Sequence, residues 1–260
     1  ISVAGVNPVA PSFDTVGIIA SSAEVLSRVA STLLAHDHAQ DEEPAKVYLL
    51  EEAFSVADPD VRRALDEPIR HLRDLFGGRL RDTSVGEIDG EPGTSEGTEL
   101  RTWHDAFGVV QWAEIGSSLD AWIEEKQPSF GPEAAQNFAL VRDLDRRRVG
   151  PAIRRREDYF GKLKAFLGPN DLLCMPTAPA LAPLKNTVGP RGSATAGDYY
   201  PRTLSLTSVA GIGRLPQASL PLASSRGVPV GLSLLAAHGR DAFLLGAGET
   251  VAASLMPEAS

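Results

Sequence analysis

Apolar residues near the start of the chain recur at helical spacing: Val25, Leu26, Val29, Ala30, Leu33 and Leu34 share one side of a 3.6-residue repeat, so this stretch is read as a helix with one core face. Ser21 followed by Glu24 has the spacing of a capping box at its start. Lys46–Leu50 is an apolar run of strand length. Asp58-Pro59 then offers an N-cap with proline at the first helical position, and Val61, Leu65, Ile69, Leu72 and Phe76 carry a second helix to a stop at Gly77-Gly78. Residues 86–97 are acidic and glycine-rich without apolar periodicity, which predicts a surface loop. Leu100 to Lys126 is helical in character with a candidate break at 116–118. Residues 132–166 form another long helical stretch, interrupted or kinked at Gly150-Pro151.

The last third has a different texture. Asp171 to Met175 reads as a buried strand, followed by a proline-shaped irregular wall through Pro183. Residues 189–197 read as a loop and 202–210 as a short helix. Ala218 to Leu222 and Pro229 to Leu235 read as two strands of a hairpin joined through 224–227, and Asp241 opens a terminal helix. Strands and helices alternate without an internal repeat or linker, which predicts one α/β unit over residues 1–260.

The 260 residues include 25 Lys plus Arg against 34 Asp plus Glu, a net charge of -9, and a pI near 5.1. That sign disfavours binding to a phosphate backbone, so nucleic acid is not an expected partner. Arg146 to Arg148 and Arg154 to Arg156 interleave with Asp143, Asp145, Glu157 and Asp158, the pattern of a solvated helix face. The single cysteine, Cys174, sits in an apolar run, as buried free thiols do, and fits a reducing, cytoplasmic setting. No apolar stretch approaches the length of a membrane span, so no membrane partner is expected. The chain opens on Ile1 without a secretory leader, and is read as part of a longer one.

Common signatures of chemistry fail. Residues 211–216 begin like a dinucleotide loop but end in Pro216, and no phosphate-cradling loop, nucleophile elbow, HExxH or CxxC is present. His36-Asp37-His38 is the one dense group of potential metal ligands, yet it lies at a helix end among acidic residues, and metal binding there is not expected. Lys162, Lys164 and Lys185 read as solvated.

Longer strings carry more. Residues 6–17 (VNPVAPSFDTVG) resemble the segment that follows the active-site region of amidase signature family hydrolases. Trp122-Ile123 and residues 126–132 (KQPSFGP) are similar to the branch holding indole-acetamide-type amidases and their chloroplast import-receptor relatives. Residues 173–179 (LCMPTAP), 208–211 through 220–222, and 228–235 (VPVGLSLL) with Asp241 and Leu244-Leu245 following resemble the family's wall, closing strands and last helix, in family order. Ser208 and Ile212-Gly213-Arg214 depart from the commoner pattern, a change the indole-acetamide-type branch shares.

The resemblance implies an amidase signature fold, a mixed β-sheet core covered by α-helices, here incomplete at the N-terminus. It implies hydrolysis of a carboxylic amide, aryl-acyl or otherwise bulky, to acid and ammonia, without metal or cofactor. A serine nucleophile would act with a second serine on a cis peptide and a neutral lysine. In the family those groups precede the string at 6–17, so no catalytic residue is assigned within this chain. The implied partners are a small-molecule amide, the upstream segment of the same protein and, for oligomerisation, a homodimeric copy. A catalytically inert amidase-like binding or receptor module is the alternative. By resemblance Asp14 supports the active-site loop, against an Asx turn as the plainer reading. Met175, Thr177, Thr203 and Ser205 are candidates for the acyl-pocket wall, against simple packing.

Overall fold

The computed structural model describes residues 2–34, 42–90, 99–185, 187 and 197–255. His36-Asp37-His38 and most of the stretches 86–97 and 189–197 lie outside them. The elements run α1 (Ala23–Leu33), β1 (Lys46–Leu50), α2 (Glu51–Val56), α3 (Pro59–Phe76), β2 (Leu80–Thr83), α4 (Val85–Asp89), α5 (Glu99–Lys126), α6 (Pro132–Arg142), α7 (Val149–Phe166), β3 (Asp171–Pro176), α8 (Tyr199–Gly213), β4 (Gln217–Ser225), β5 (Val228–Ala236) and α9 (Asp241–Leu255). The strands form one mixed sheet in the order β2-β1-β3-β5-β4. β1 runs parallel to β2 and β3, whereas β5 is antiparallel to β3 and β4. This is the mixed, helix-covered α/β architecture that the resemblance implies.

Strand alternation sorts the core. Val47, Leu49, Leu172, Cys174, Leu232 and Leu234 point to a layer containing α3 and α9, while Tyr48, Leu50, Leu173, Met175 and Leu235 point to the layer of α5, α7 and α8. Both faces are covered, so β3 is buried at every residue. A smaller cluster of Val109, Val110, Ala113, Leu144 and Ala152 joins α5 to the region before α7 and receives Phe13.

Several boundaries differ from the sequence expectation, each for a local reason. Ser22, not Ser21, caps α1, its hydroxyl accepting from the Val25 amide at 3.2 Å. The core face of α1 is the small one: Ser27 and Ala30 are buried and the helix lies against α9, while Val25, Val29 and Leu33 are 36%, 40% and 46% exposed. α5 has no break. Gly116 sits where a Cβ would come within 3.2 Å of Val141, and the Ser117 hydroxyl is satisfied by the Ala113 carbonyl at 2.9 Å, so the helix passes through both residues without a break. The following stretch breaks earlier than Gly150-Pro151, at residues 143–148, where the Asp145 carboxylate caps a 3-10 turn by accepting from the Arg147 amide. Pro151 fits the first turn of α7, where an amide hydrogen has no intrahelical partner. The acidic stretch expected as a surface loop begins with α4, whose Val85, Gly86 and Ile88 are buried. The helix read at 202–210 extends over all of α8.

The hairpin is as expected, with strands longer by a few residues. Its two-residue turn, Arg226-Gly227, has φ of 54° and 77°, the pair a type I′ turn requires. Pro221 is tolerated because β4 is an edge strand with a register irregularity between Leu220 and Ala223. The Gly211-Ile212-Gly213 string that mimics a dinucleotide loop is a packing device instead. A Cβ on Gly211 would strike the Phe107 ring of α5, and one on Gly213 would meet Leu163 of α7 at 2.6 Å.

Gly211→Ala is therefore expected to cost about 1–3 kcal/mol through overpacking; denaturant midpoints should show that loss, and Phe107→Leu in the same chain should recover part of it. Cys174 is fully buried, and burial pushes its thiol up to about 12. A thiol reagent at pH 8 should leave the folded chain unlabelled and modify it only as it unfolds, so labelling rates should follow the unfolding curve.

Candidate functional site

The carboxyl ends of β1, β2 and β3 lie at one end of the sheet, the end where α/β folds gather ligands. Beyond β3 the chain continues through Thr177 into the wall, and Arg202 in the first turn of α8 fixes that wall in place. Its guanidinium donates to the Val56 carbonyl at 2.8 Å, to the Asp58 carboxylate at 2.5 Å and to the Pro179 carbonyl at 3.4 Å. The Asp58 amide donates to Pro179 O at 2.7 Å. Asp58 starts α3 as expected, but its side chain pairs with Arg202 rather than capping the helix.

This brings Met175, Thr177, Thr203 and Ser205 to the same end of the fold. They are not alike. Met175 is fully buried in the layer with Leu206 and Val209. Thr203 and Ser205 return their hydroxyls to helix carbonyls, Tyr199 O and Arg202 O, each at 2.8 Å. Thr177 instead enters a chain of side-chain hydrogen bonds, 2.8 Å from the Ser219 hydroxyl and 2.9 Å from that of Ser233. The Gln217 amide donates to Ser233 Oγ at 2.8 Å. With Gln217 as donor, Ser233 can pass its hydrogen to Thr177 and Thr177 to Ser219, which satisfies each oxygen in turn. Gly231 makes room for this crossing, since a Cβ there would stand 2.8 Å from Thr177 Oγ1. The Thr177 amide donates to its carbonyl at 2.9 Å.

Asp14 lies outside this group. Its carboxylate accepts from the Val9 and Ala10 amides at 2.9 and 3.1 Å, closing a local loop in which the Phe13 and Asp14 amides also donate to Ala10 O. Among the described residues it forms no ion pair.

Two groups depart from their expected solvation. Lys162 lies 3.1 Å from Asp158 and 3.6 Å from Asp89. Burial acts to lower its pKa, but the two carboxylates outweigh it and hold the ammonium above its ordinary range. A lysine so held is protonated, the wrong state for a general base. Arg156, read as part of a solvated arginine face, is only 3% exposed. Gln217, Ser219 and Ser233 were missed by sequence reasoning. The available signal was a lone hydroxyl inside an apolar strand, as in Leu232-Ser233-Leu234, because a buried hydroxyl needs a partner.

Among the described residues, no cluster of three His, Cys, Asp or Glu gathers as a metal site. No helix there is long and apolar enough to cross a membrane.

A mixed five-stranded sheet covered by helices is the architecture this chain shares with solved amidase signature structures. The chain belongs to the Amidase family, whose sequence model matches residues 85–245. It is 26% identical over 272 residues to "Amidase 1" of Arabidopsis thaliana, covering 97% of this chain and 63% of that protein. It is 37% identical over 195 residues to "Putative amidase AmiC" of Mycobacterium tuberculosis (strain ATCC 25618 / H37Rv), covering 74% and 41%. A match at 25% identity spans 100% of this chain and 46% of "Outer envelope protein 64, chloroplastic" of Arabidopsis thaliana. Among solved structures, one titled "Crystal structure of amidase" superposes with a TM-score of 0.77 at 20% identity, over 95% of this chain and 54% of that one. A bacterial aryl acylamidase of the amidase signature family gives 0.61 at 16% identity, over 83% and 45%. These superpositions show the shared fold. The chain thus spans between about two-fifths and two-thirds of its relatives' length.

Thr177→Val should leave buried Ser233 without its acceptor and cost about 1–3 kcal/mol, whereas Ser219→Ala, at the exposed end, should cost under about 0.5 kcal/mol. Urea unfolding of the two variants checks the contrast.

Proposed function

We propose that residues 1–260 are the C-terminal part of an amidohydrolase domain that cleaves linear carboxylic amides, with aryl-acyl or other bulky amides as the favoured substrates. The nucleophilic serine, its serine relay and its lysine base lie in a segment upstream of Ile1. Asp14 supports the loop that carries them. Met175, Thr177, Thr203 and Ser205 shape the acyl side of the pocket, and the protein works in the cytoplasm. A homodimer is the proposed assembly.

The observation that carries this reading is the family match over residues 85–245 in a chain whose own hydroxyls are engaged elsewhere. Thr177, Ser219 and Ser233 bond one another, Thr203 and Ser205 bond helix carbonyls, and Lys162 is held protonated. None of them forms a nucleophile and base pair. An upstream partner is further supported by where apolar surface is left uncovered. Between Val3 and Leu33 a series of large apolar side chains is exposed, including Val6 at 62% and Ile19 at 102%, and the apolar stripe of α1 belongs to it.

The second reading, an amidase-like binding or receptor module without hydrolysis, is favoured by the matches to outer envelope proteins across the whole of this chain. One experiment separates the two. The purified 260-residue chain should release no ammonia from a panel of aliphatic and aryl amides, and co-expression with its upstream segment should restore release. Hydrolysis by the chain alone, abolished by mutating one of its own serines, would overturn the upstream placement of the nucleophile. A folded complex of the chain with its upstream segment that hydrolyses none of the amides would favour the receptor reading.

A further inference from the structure

Arg156 is a buried cation without a carboxylate in ion-pair distance among the described residues. It lies in α7, and its Nε has no hydrogen-bond partner there. Burial depresses its pKa, with the nearby charge of Arg214 adding to the effect and Glu114 and Glu157 opposing it. Desolvating a guanidinium is costly, so something must hold it in.

What holds it is one serine of the irregular N-terminal segment. Nη1 donates to the Ser12 hydroxyl, and Nη2 donates to the Ser12 carbonyl at 2.9 Å. The guanidinium carbon stands 3.8 Å from the centre of the Phe13 ring, within cation–π range. Glu114 of α5 accepts from the Ser12 amide at 2.8 Å and from its hydroxyl at 2.5 Å. Every polar group of Ser12 is thereby used, and its oxygen sits between a cation and an anion. Phe13 also stacks edge-on against Phe107, 4.7 Å between ring centres.

The segment has little else to fix it. It contains no helix or strand before α1, and most of its residues are exposed. Besides a turn in which the Val6 amide donates to Val3 O, its compact piece is the loop from Val9 to Asp14, closed by the Asp14 carboxylate and with Ala10 2% exposed. Ser12 and Phe13 lie within that loop. Fixing them fixes Asp14.

We propose that Arg156 and Glu114 are positioning residues: by clamping Ser12 from two helices, they set the place of the Val9–Asp14 loop, and through it that of the Asp14 carboxylate. What Asp14 then does for hydrolysis rests on the function proposed above; the clamp itself does not. A forked guanidinium is required because one group must reach the hydroxyl and the carbonyl together and still lie on a ring, which an ammonium cannot do.

Hydrogen exchange read by mass spectrometry on peptides covering residues 8–15 tests the clamp, in the chain and in the longer protein. Arg156→Met should raise exchange there about tenfold or more while peptides of β3 and β5 stay at the wild-type rate. Arg156→Lys should fail to restore protection. Ser12→Ala removes the hydroxyl contacts to Arg156 and Glu114 but keeps the backbone ones and the cation itself, so it should raise exchange in the same peptides by a smaller factor; a misfolded Arg156→Met then leaves the test intact, and the double variant should not exceed Arg156→Met. Wild-type protection in Ser12→Ala would overturn the clamp. In the longer hydrolase, Arg156→Met and Ser12→Ala should lower kcat about tenfold with KM little changed; raised exchange with unchanged kcat would overturn the link to the site. A wild-type protein that hydrolyses nothing would count against the proposed function only, because the exchange result still decides the clamp.

Discussion

Burial of both faces of β3 is the constraint on which the other elements depend. A strand whose six residues are all buried must be covered twice, and the period of two sends Leu172 and Cys174 one way and Leu173 and Met175 the other. One set requires α3 and α9, the other α5, α7 and α8. The neighbours follow as well, since the backbone groups of a buried strand need partners on both edges, and β1 and β5 supply them in opposite directions. The site inherits this placement. Thr177 emerges where β3 ends, and its hydroxyl finds Ser233 on neighbouring β5 and, over the bare Gly231, Ser219 on β4 beyond it.

Much of this was legible in the chain. The strand at 171–175, the hairpin, the helix ending at Gly77 and the buried thiol all follow from periodicity, turn chemistry or composition, which act locally. What was not legible depends on partners distant in sequence. Arg156 sits in a run of arginines and looks like its exposed neighbours; only the docking of Ser12 distinguishes it. β2 is four residues long with only its end residues buried, too short for alternation to register. Gly116 reads as a helix breaker until the nearby Val141 shows that the helix needs a small residue there. The stripe on α1 is apolar as its spacing predicts, but only Ala30 of it is buried while Val25, Val29 and Leu33 stay exposed, because amphipathicity reports that a face is to be covered and not by what.

The candidate site divides in the same manner. Thr177 and Met175 were placed by resemblance, and the structure gives them different surroundings: one is in a hydrogen-bond chain, the other in the apolar core. Thr203 and Ser205 share the strand end with them through the hold of Arg202 on Val56, Asp58 and Pro179. Asp14 binds its own loop, so its reach toward any upstream group depends on where the loop is fastened.

The parallel pairing of β1 with β3 has a consequence for how the chain reaches its fold. Lys46 must find Asp171, and Val47 Leu172, with α2 to α7 lying between them in sequence. The β4–β5 hairpin closes over two residues and is tied back to α3 by Arg226 on Asp60 at 2.7 Å. Loop-closure entropy favours the hairpin early and leaves the joining of β1 to β3 as the slow event. Until it occurs the hydrophobic residues of β3 have at most the β5 strand beside them, so in refolding of the full chain this segment stays exposed longest.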